Sequence, residues 1–463
     1  MSARRGLRGI VVVVLVLALA VAGWVTWNMA HVASVKAPPA LPIASGRTLL
    51  EPIADDAPNA AQLRRGQYLV RVGDCLSCHT AYDGKPFAGG VGLNTPFGVI
   101  YSSNITSDKN VGIGGWTKDQ FYAAMHDGIR ADGQHLYPAF PYPWFTRVSR
   151  EDDDAIFAYL QTTPPSNAQP PPNRLPFPFN QRSLLAVWNA LFLDRKTNPP
   201  PDAKQSAEWN RGADIVNGLG HCSGCHTPKN PFGADRKSLA FHGAGIDNHF
   251  APDLTANSRT GLGSWSVEDI AQYLKDGRNA RAAAGGPMAE VITFSMSMLS
   301  DEDRHAVATY LKSLPASADE NSTRPGDAAM QRGAAIYSDA CSACHLSDGR
   351  GQPGYFPPLG NNAVVQQDDP AGVLHILLAG SRAGPGAKIV SPMTMPSFAW
   401  KLSDAEIADV LTFLRNSWGN RAAAVDADTV KKLRGKLDLD VPHLTDNSGD
   451  QDMVENANPK RAR

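Results

Sequence analysis

The chain has 463 residues, room for about three domains at ~150 residues each. Hydrophobic residues make up 43% and charged residues 19%, enough to build packed cores and unlike a disordered chain. Lys+Arg 44 against Asp+Glu 45 excludes a nucleic-acid binder that works through a basic excess, and six cysteines are too few for a disulfide scaffold of this length.

The first thirty residues read as an address. Arg4, Arg5 and Arg8 precede an apolar run ending at Val25, with Trp24 and Trp27 beside its end. Gly9 to Val25 is 17 residues, about 25 Å of helix at ~1.5 Å per residue, short for a ~30 Å hydrocarbon core but within the range of membrane spans. The segment is a signal peptide, for which Ala20-Val21-Ala22 offers a cleavage site, or a retained membrane anchor, for which the tryptophans speak. In both cases the arginines stay in the cytoplasm and the rest is exported.

Next come three copies of one pattern: Cys75-Leu76-Ser77-Cys78-His79, Cys222-Ser223-Gly224-Cys225-His226 and Cys341-Ser342-Ala343-Cys344-His345. Together they use every cysteine. C-x-x-C-H is the attachment pattern of c-type haem: two thiols at this spacing add to the vinyl groups, and the adjacent histidine becomes the proximal iron ligand. A dithiol redox centre needs no histidine at that place, and structural zinc needs four ligands per metal. The pattern therefore predicts three covalent haems c, with His79, His226 and His345 on the irons. Export agrees, because this attachment is made outside the cytoplasm.

The repeat extends beyond the motif. An Arg-Gly pair on a helix-like stretch precedes each copy, at Arg65-Gly66, Arg211-Gly212 and Arg332-Gly333. Glycine costs ~1 kcal/mol in a helix relative to alanine, so three of them predict close helix approach. After each copy a further helix opens on a capping box, at Ser149 to Asp152, Ser300 to Asp303 and Ser403 to Glu406. The fold class is therefore all-α: three tandem class I cytochrome c domains, in which first and last helices cross beside the haem, behind an N-terminal transmembrane or signal helix. The first two copies also share Gly112-Ile113-Gly114-Gly115-Trp116 against Gly261-Leu262-Gly263-Ser264-Trp265, each opening a helix that ends in Asp-Gly. Upstream of these stand Asn104-Ile105-Thr106 and Asp253-Leu254-Thr255. The expected layout is a signal or anchor at 1–30, domains at 59–163, 202–315 and 328–419, and a Pro-rich linker at 164–201 whose residues 184–193 form a helix packed between domains. A short linker follows at 316–327, and a charged tail at 420–463 is a docking strap or disordered, with composition favouring disorder.

A haem held by histidine on one face takes Met, His, water or nothing on the other. In the third copy Met395, in Met393-Thr394-Met395-Pro396, is favoured over Met393 because a Met-Pro step fixes the loop. In the second, Met288 follows the loop Gly285-Gly286-Pro287, while Met296 and Met298 lie near the last helix as core candidates. The first copy differs. Counting from Trp116 as Met288 stands from Trp265 reaches Phe140, which cannot ligate iron. His135, in the same loop, is the favoured substitute, with Met125 or an open iron as alternatives; Met125 reads as core and His126 as a solvent position.

Taken together, Thr95-Pro96-Phe97-Gly98, Asn104 to Thr106, Gly112 to Trp116, Leu136 to Tyr142, Gly285 to Met288 and Met395-Pro396-Ser397-Phe398-Ala399-Trp400 resemble the three-haem cytochrome c subunits of bacterial membrane-bound alcohol, gluconate, fructose and aldehyde dehydrogenases, over about residues 60 to 419. The family commonly has methionine where this chain has Phe140, though phenylalanine occurs there too. The resemblance implies an electron-transfer subunit that is not itself catalytic on substrate. Its partner would be a dehydrogenase subunit carrying PQQ, flavin or molybdopterin, and its acceptor ubiquinone or a terminal oxidase. The place would be the periplasmic side of the bacterial inner membrane, held by the N-terminal helix. A haem subunit of a terminal oxidase complex and a peroxidase-like enzyme on an open first iron are the alternatives.

Overall fold

The computed structural model describes residues 50–81, 84–195, 199–246, 248–319, 325–382, 394–437 and 439, with Gly23 alone before them. The expected N-terminal span, Met393 and the last residues lie outside the described residues. Among the described residues no helix is long and apolar enough to cross a membrane. They fall into two compact units: one gathers residues 78–143 and 160–195, the other residues 50–77, 144–159 and 199–439. This division runs through the stretch 59–163.

The larger unit is built on three helix pairs. They are α1 (Ala60–Val72) with α5 (Arg150–Leu160, all but its last residue in this unit), α7 (Ala207–Asn217) with α11 (Asp301–Lys312), and α12 (Asp327–Ala340) with α15 (Asp404–Leu414). The glycines explain the crossings. A Cβ at Gly66 would overlap the carbonyl oxygen of Ala155; at Gly212, that of Ala306; at Gly333, that of Asp409. Beside each glycine the arginine grips an aspartate with two bonds: Arg65 to Asp152 (2.8 and 3.0 Å), Arg211 to Asp303 (both 2.7 Å) and Arg332 to Asp409 (2.6 and 2.9 Å).

Those pairs also decide the helix starts. Ser403 and Glu406 form a complete capping box. At Ser149 and Ser300 the hydroxyl accepts from the backbone N–H of Asp152 and Asp303 (both 3.1 Å), but the two carboxylates face Arg65 and Arg211 instead of turning back to the cap. The expected boxes are thus half-formed there. Tyr68 on α1 donates from its hydroxyl to Asp303 (2.5 Å) and accepts from the N–H of Ser300 (3.2 Å), so Asp303 serves two elements at once.

The shared block of the first two copies makes a shared loop. In the smaller unit Asn104 accepts from the N–H of Thr106 (2.9 Å), and Cβ atoms on Gly112 and Gly114 would strike the carbonyls of Thr106 and Ser107. In the larger unit Asp253 accepts from Thr255 N–H (2.6 Å), and Gly261 and Gly263 lie on the carbonyls of Thr255 and Ala256. Each loop leads into a helix with a complete capping box, α3 (Lys118–Asp127, from Thr117) and α9 (Val267–Asp276, from Ser266). Each helix stops at a left-handed glycine, Gly128 or Gly277 (φ 63° and 67°).

Four expectations change. The fold is mostly helical rather than all-α, because three two-stranded antiparallel ribbons form: β1 (Gly92–Thr95) with β2 (Gly98–Tyr101), β3 (Ala244–Ile246) with β4 (His249–Ala251), and β5 (Ser381–Arg382) with β6 (Thr394–Met395). In the first, Thr95 Oγ1 closes the turn by donating to the Gly98 carbonyl (2.7 Å). The linker helix α6 (Leu184–Phe192) forms in the smaller unit and is held at Asn189, which accepts from Tyr142 (2.6 Å) and donates to the Asp127 carbonyl (3.1 Å). Its Leu184, Val187 and Leu191 are exposed rather than packed between domains. His126 is buried against Tyr122 (3.9 Å between rings), not at a solvent position. The start of the tail is ordered: α16 (Ala427–Arg434) buries Val430 and Leu433 in the core of the third helix pair. There Arg434 bonds Asp404 and the carbonyls of Ala399 and Leu402 (2.6 to 2.9 Å).

Candidate functional site

Each C-x-x-C-H folds as a short helical turn. They are α2 (Cys75–His79), α8 (Ser223–His226, entered from Cys222) and α13 (Ser342–His345, entered from Cys341). One helical turn brings cysteines three apart to one side, with the histidine just beyond. Left-handed Asp74 and His221 (φ 51° and 36°) turn the chain sharply into the first two. No disulfide joins any of the six cysteines.

The histidines are set alike. Nδ1 donates to a backbone carbonyl in each case: His79 to Ser103 (2.6 Å), His226 to Pro252 (2.7 Å) and His345 to Pro357 (3.1 Å). This fixes each ring and leaves Nε2 as the nitrogen able to bind a metal. A left-handed glycine then donates its N–H to the histidine's own carbonyl: Gly89 to His79 (2.8 Å), Gly243 to His226 (2.9 Å) and Gly351 to His345 (3.1 Å). These glycines escaped the sequence reading because their distances from the motifs differ.

Electrostatics favours haem over the other uses of such residues. Burial pushes the Cys75 and Cys222 thiols up to about 12 and Cys341 up to about 11, the reverse of an activated redox dithiol. Burial also lowers His79, His226 and His345, keeping them neutral and able to bind iron. Among the described residues no group of three or more His, Cys, Asp or Glu could hold a metal ion. Paired cysteines, with Cys75, Cys222 and Cys341 held as thiols by burial, beside a neutral, oriented imidazole fit covalent haem c.

The sixth-ligand candidates are placed as follows. Met395 is half-buried on β6 and packs on the core of the third helix pair. Met288 is half-buried in the first turn of α10 (Pro287–Phe294), so the loop ends at Gly286. Met296 is buried in a 3₁₀ turn before α11. Met125 is buried on α3. His135 bridges Ile129, and its carbonyl accepts from Arg182 (2.7 Å), while its Nδ1 is buried and meets no hydrogen-bond partner. Phe140 lies in the same loop, near Tyr142. A further residue that the sequence did not mark is Trp144, whose indole N–H donates to Ser223 (2.5 Å) inside the second motif, with Lys229 over its ring.

Helical C-x-x-C-H turns together with crossed helix pairs are the arrangement of a c-type cytochrome. Residues 210–315 and 330–418 match the cytochrome c family. The chain is 40% identical over 401 residues to the cytochrome c subunit of the quinone alcohol dehydrogenase of Gluconobacter oxydans, covering 82% of this chain and 84% of that one. It is 39% identical to the gluconate 2-dehydrogenase cytochrome c subunit of Pantoea cypripedii (82% and 91% covered) and 38% identical to the fructose dehydrogenase cytochrome subunit of Gluconobacter japonicus (80% and 82%). The chain belongs to this family of dehydrogenase cytochrome c subunits, and it is an electron-transfer subunit that binds haem c rather than the subunit that acts on substrate.

Proposed function

We propose that the chain carries three covalent haems c and passes electrons from the catalytic subunit of a dehydrogenase to ubiquinone or a terminal oxidase, on the periplasmic side of the inner membrane. The haems attach at Cys75 and Cys78, Cys222 and Cys225, and Cys341 and Cys344, with His79, His226 and His345 as proximal ligands. Met288 and Met395 are the sixth ligands of the second and third haems. His135 takes that place on the first, a role supported by its buried, unpartnered Nδ1. The observation that carries the reading is the threefold histidine arrangement, with Nδ1 on a carbonyl and a left-handed glycine on the histidine's own carbonyl. The partner carries PQQ, flavin or molybdopterin, a reading that the dehydrogenase names of the relatives support. The membrane tie is assigned to the N-terminal apolar segment.

The test is a reductive titration of the full chain, made with its attachment machinery, followed by mixing with a ubiquinone analogue. Three one-electron steps and reoxidation by the quinone are expected. Fewer than three covalent haems on the denatured chain would overturn the arrangement. Haems that only an oxidase reoxidises would direct the electrons there instead.

A further inference from the structure

The segments that present Met288 and Met395 share a wall. On one side, Gly285 and Gly286 lead into α10 and Met288. On the other, β5 pairs with β6 so that Ser381 stands opposite Met395, and a Cβ on the preceding Gly380 would press on the Met395 carbonyl oxygen (2.7 Å). The two sides touch directly. Ser381 Oγ fills the place that a Cβ on Gly285 would take. At Gly286 (φ 55°) a Cβ would come within 2.9 Å of the His249 ring.

A second link runs behind the first. His249 on β4 stacks on His375, with ring centroids 3.7 Å apart and planes at 24°. His375 lies on α14 (Ala371–Ala379), and that helix runs through Gly380 into β5. At the other end of α14, Gly372 packs on Phe250, the neighbour of His249. So β4 lies along α14, which runs on into β5, while the ring of His249 lies against Gly286. A methyl at Gly285 would have to push the Ser381 hydroxyl aside.

We infer that Ser381 and His249 are positioning residues shared by the two methionines, so that the sixth-ligand geometry of the second haem is coupled to that of the third. The inference rests on Met288 and Met395 as the ligands. A displacement of the Gly285–Gly286 bend is passed by Ser381 to the strand pair that presents Met395, and a displacement of β5 returns the same way.

The test uses the full haem-loaded chain and reads the potential of each haem together with its Fe–S charge-transfer absorption. Met288→Ala and Met395→Ala first assign the signals, each removing one haem's share of that absorption. If neither variant changes it, the ligand assignment fails, which is distinct from a failure of the coupling. Gly285→Ala, whose methyl meets Ser381, is then expected to shift the potentials of both methionine-bound haems and leave the first haem unchanged. Gly285→Ala with Ser381→Gly, which restores the space, is expected to return both. Ser381→Thr crowds the same contact from the other side, and it decides the matter should Gly285→Ala fail to mature. A shift confined to one haem, or one that Ser381→Gly does not reverse, would overturn the coupling.

Discussion

Asp153 on α5 is fully buried, and neither of its carboxylate oxygens meets a hydrogen-bond partner. Burial, with the charge of Asp154, raises its pKa to about 8, against the opposing pull of Arg150. Between the ordinary aspartate range and that value the folded chain holds a proton that the unfolded chain has lost. Stability therefore falls as pH rises through the window, by at most about 1.4 kcal/mol per pH unit. Asp153→Asn should remove this slope, and thermal melts followed by helix signal should rise more at alkaline than at acid pH. The equivalent place on α11, next after the clamped aspartate, is Arg304, which donates to the carbonyls of Met296 and Ser297 (both 3.3 Å). His249 has the opposite sign. Burial, and His375 against it, lower its pKa to about 3, so the unfolded chain binds the proton first and stability is lost as pH falls below the usual histidine range. His249→Gln should flatten the acid limb of the same melts. Neither group was legible in the sequence, because burial is set by chain brought in from elsewhere. The motif cysteines and histidines were legible because their chemistry is local to five residues.

At the scale of elements, the glycine and the arginine of each crossing carry different loads. A methyl at Gly212 would strike the Ala306 backbone and the Cβ of Tyr310, and Gly212→Ala should cost about 2–3 kcal/mol, the upper range for overpacking. Arg332 is 61% exposed, so Arg332→Ala should cost no more than about 1 kcal/mol despite its two bonds to Asp409. Denaturant melts of the two variants check the ordering, and equal losses would show that the ion pairs hold the crossings. The crossings were visible beforehand because a helical glycine recurring before each motif calls for close approach. Their aspartates were visible only as cap residues, since arginine and partner are 87, 92 and 77 residues apart. The ribbons were missed for a related reason: strands of two to four residues are too short to show an alternating pattern.

For the whole molecule, Cys222→Ala with Cys225→Ala should leave two covalent haems on the denatured chain, counted by absorbance against protein. Loss of two would mean that the second attachment is needed for another. Three copies were legible because every cysteine falls in the pattern, but the grouping of residues 50–439 into two units was not. That grouping depends on which helices meet, and α1 and α5 lie with the later pairs rather than with the ribbon and loop encoded between them. The tail misled through composition: its charges surround Val430 and Leu433, two apolar residues three apart that are enough to seat one short helix.

The hydroxyl of Tyr68 reaching Asp303 has a consequence for the order of events in synthesis. The two residues are 235 positions apart, so α1 leaves the ribosome long before its neighbour on α11 exists. Asp152 emerges earlier, so Arg65 finds its own partner while the contact of Tyr68 is still to come. Arg65 and Asp152 can thus bring α1 against α5 before α11 has been made. Closure of α1 against α11 then comes as a late step, taken only by a chain that has been completed through Asp303.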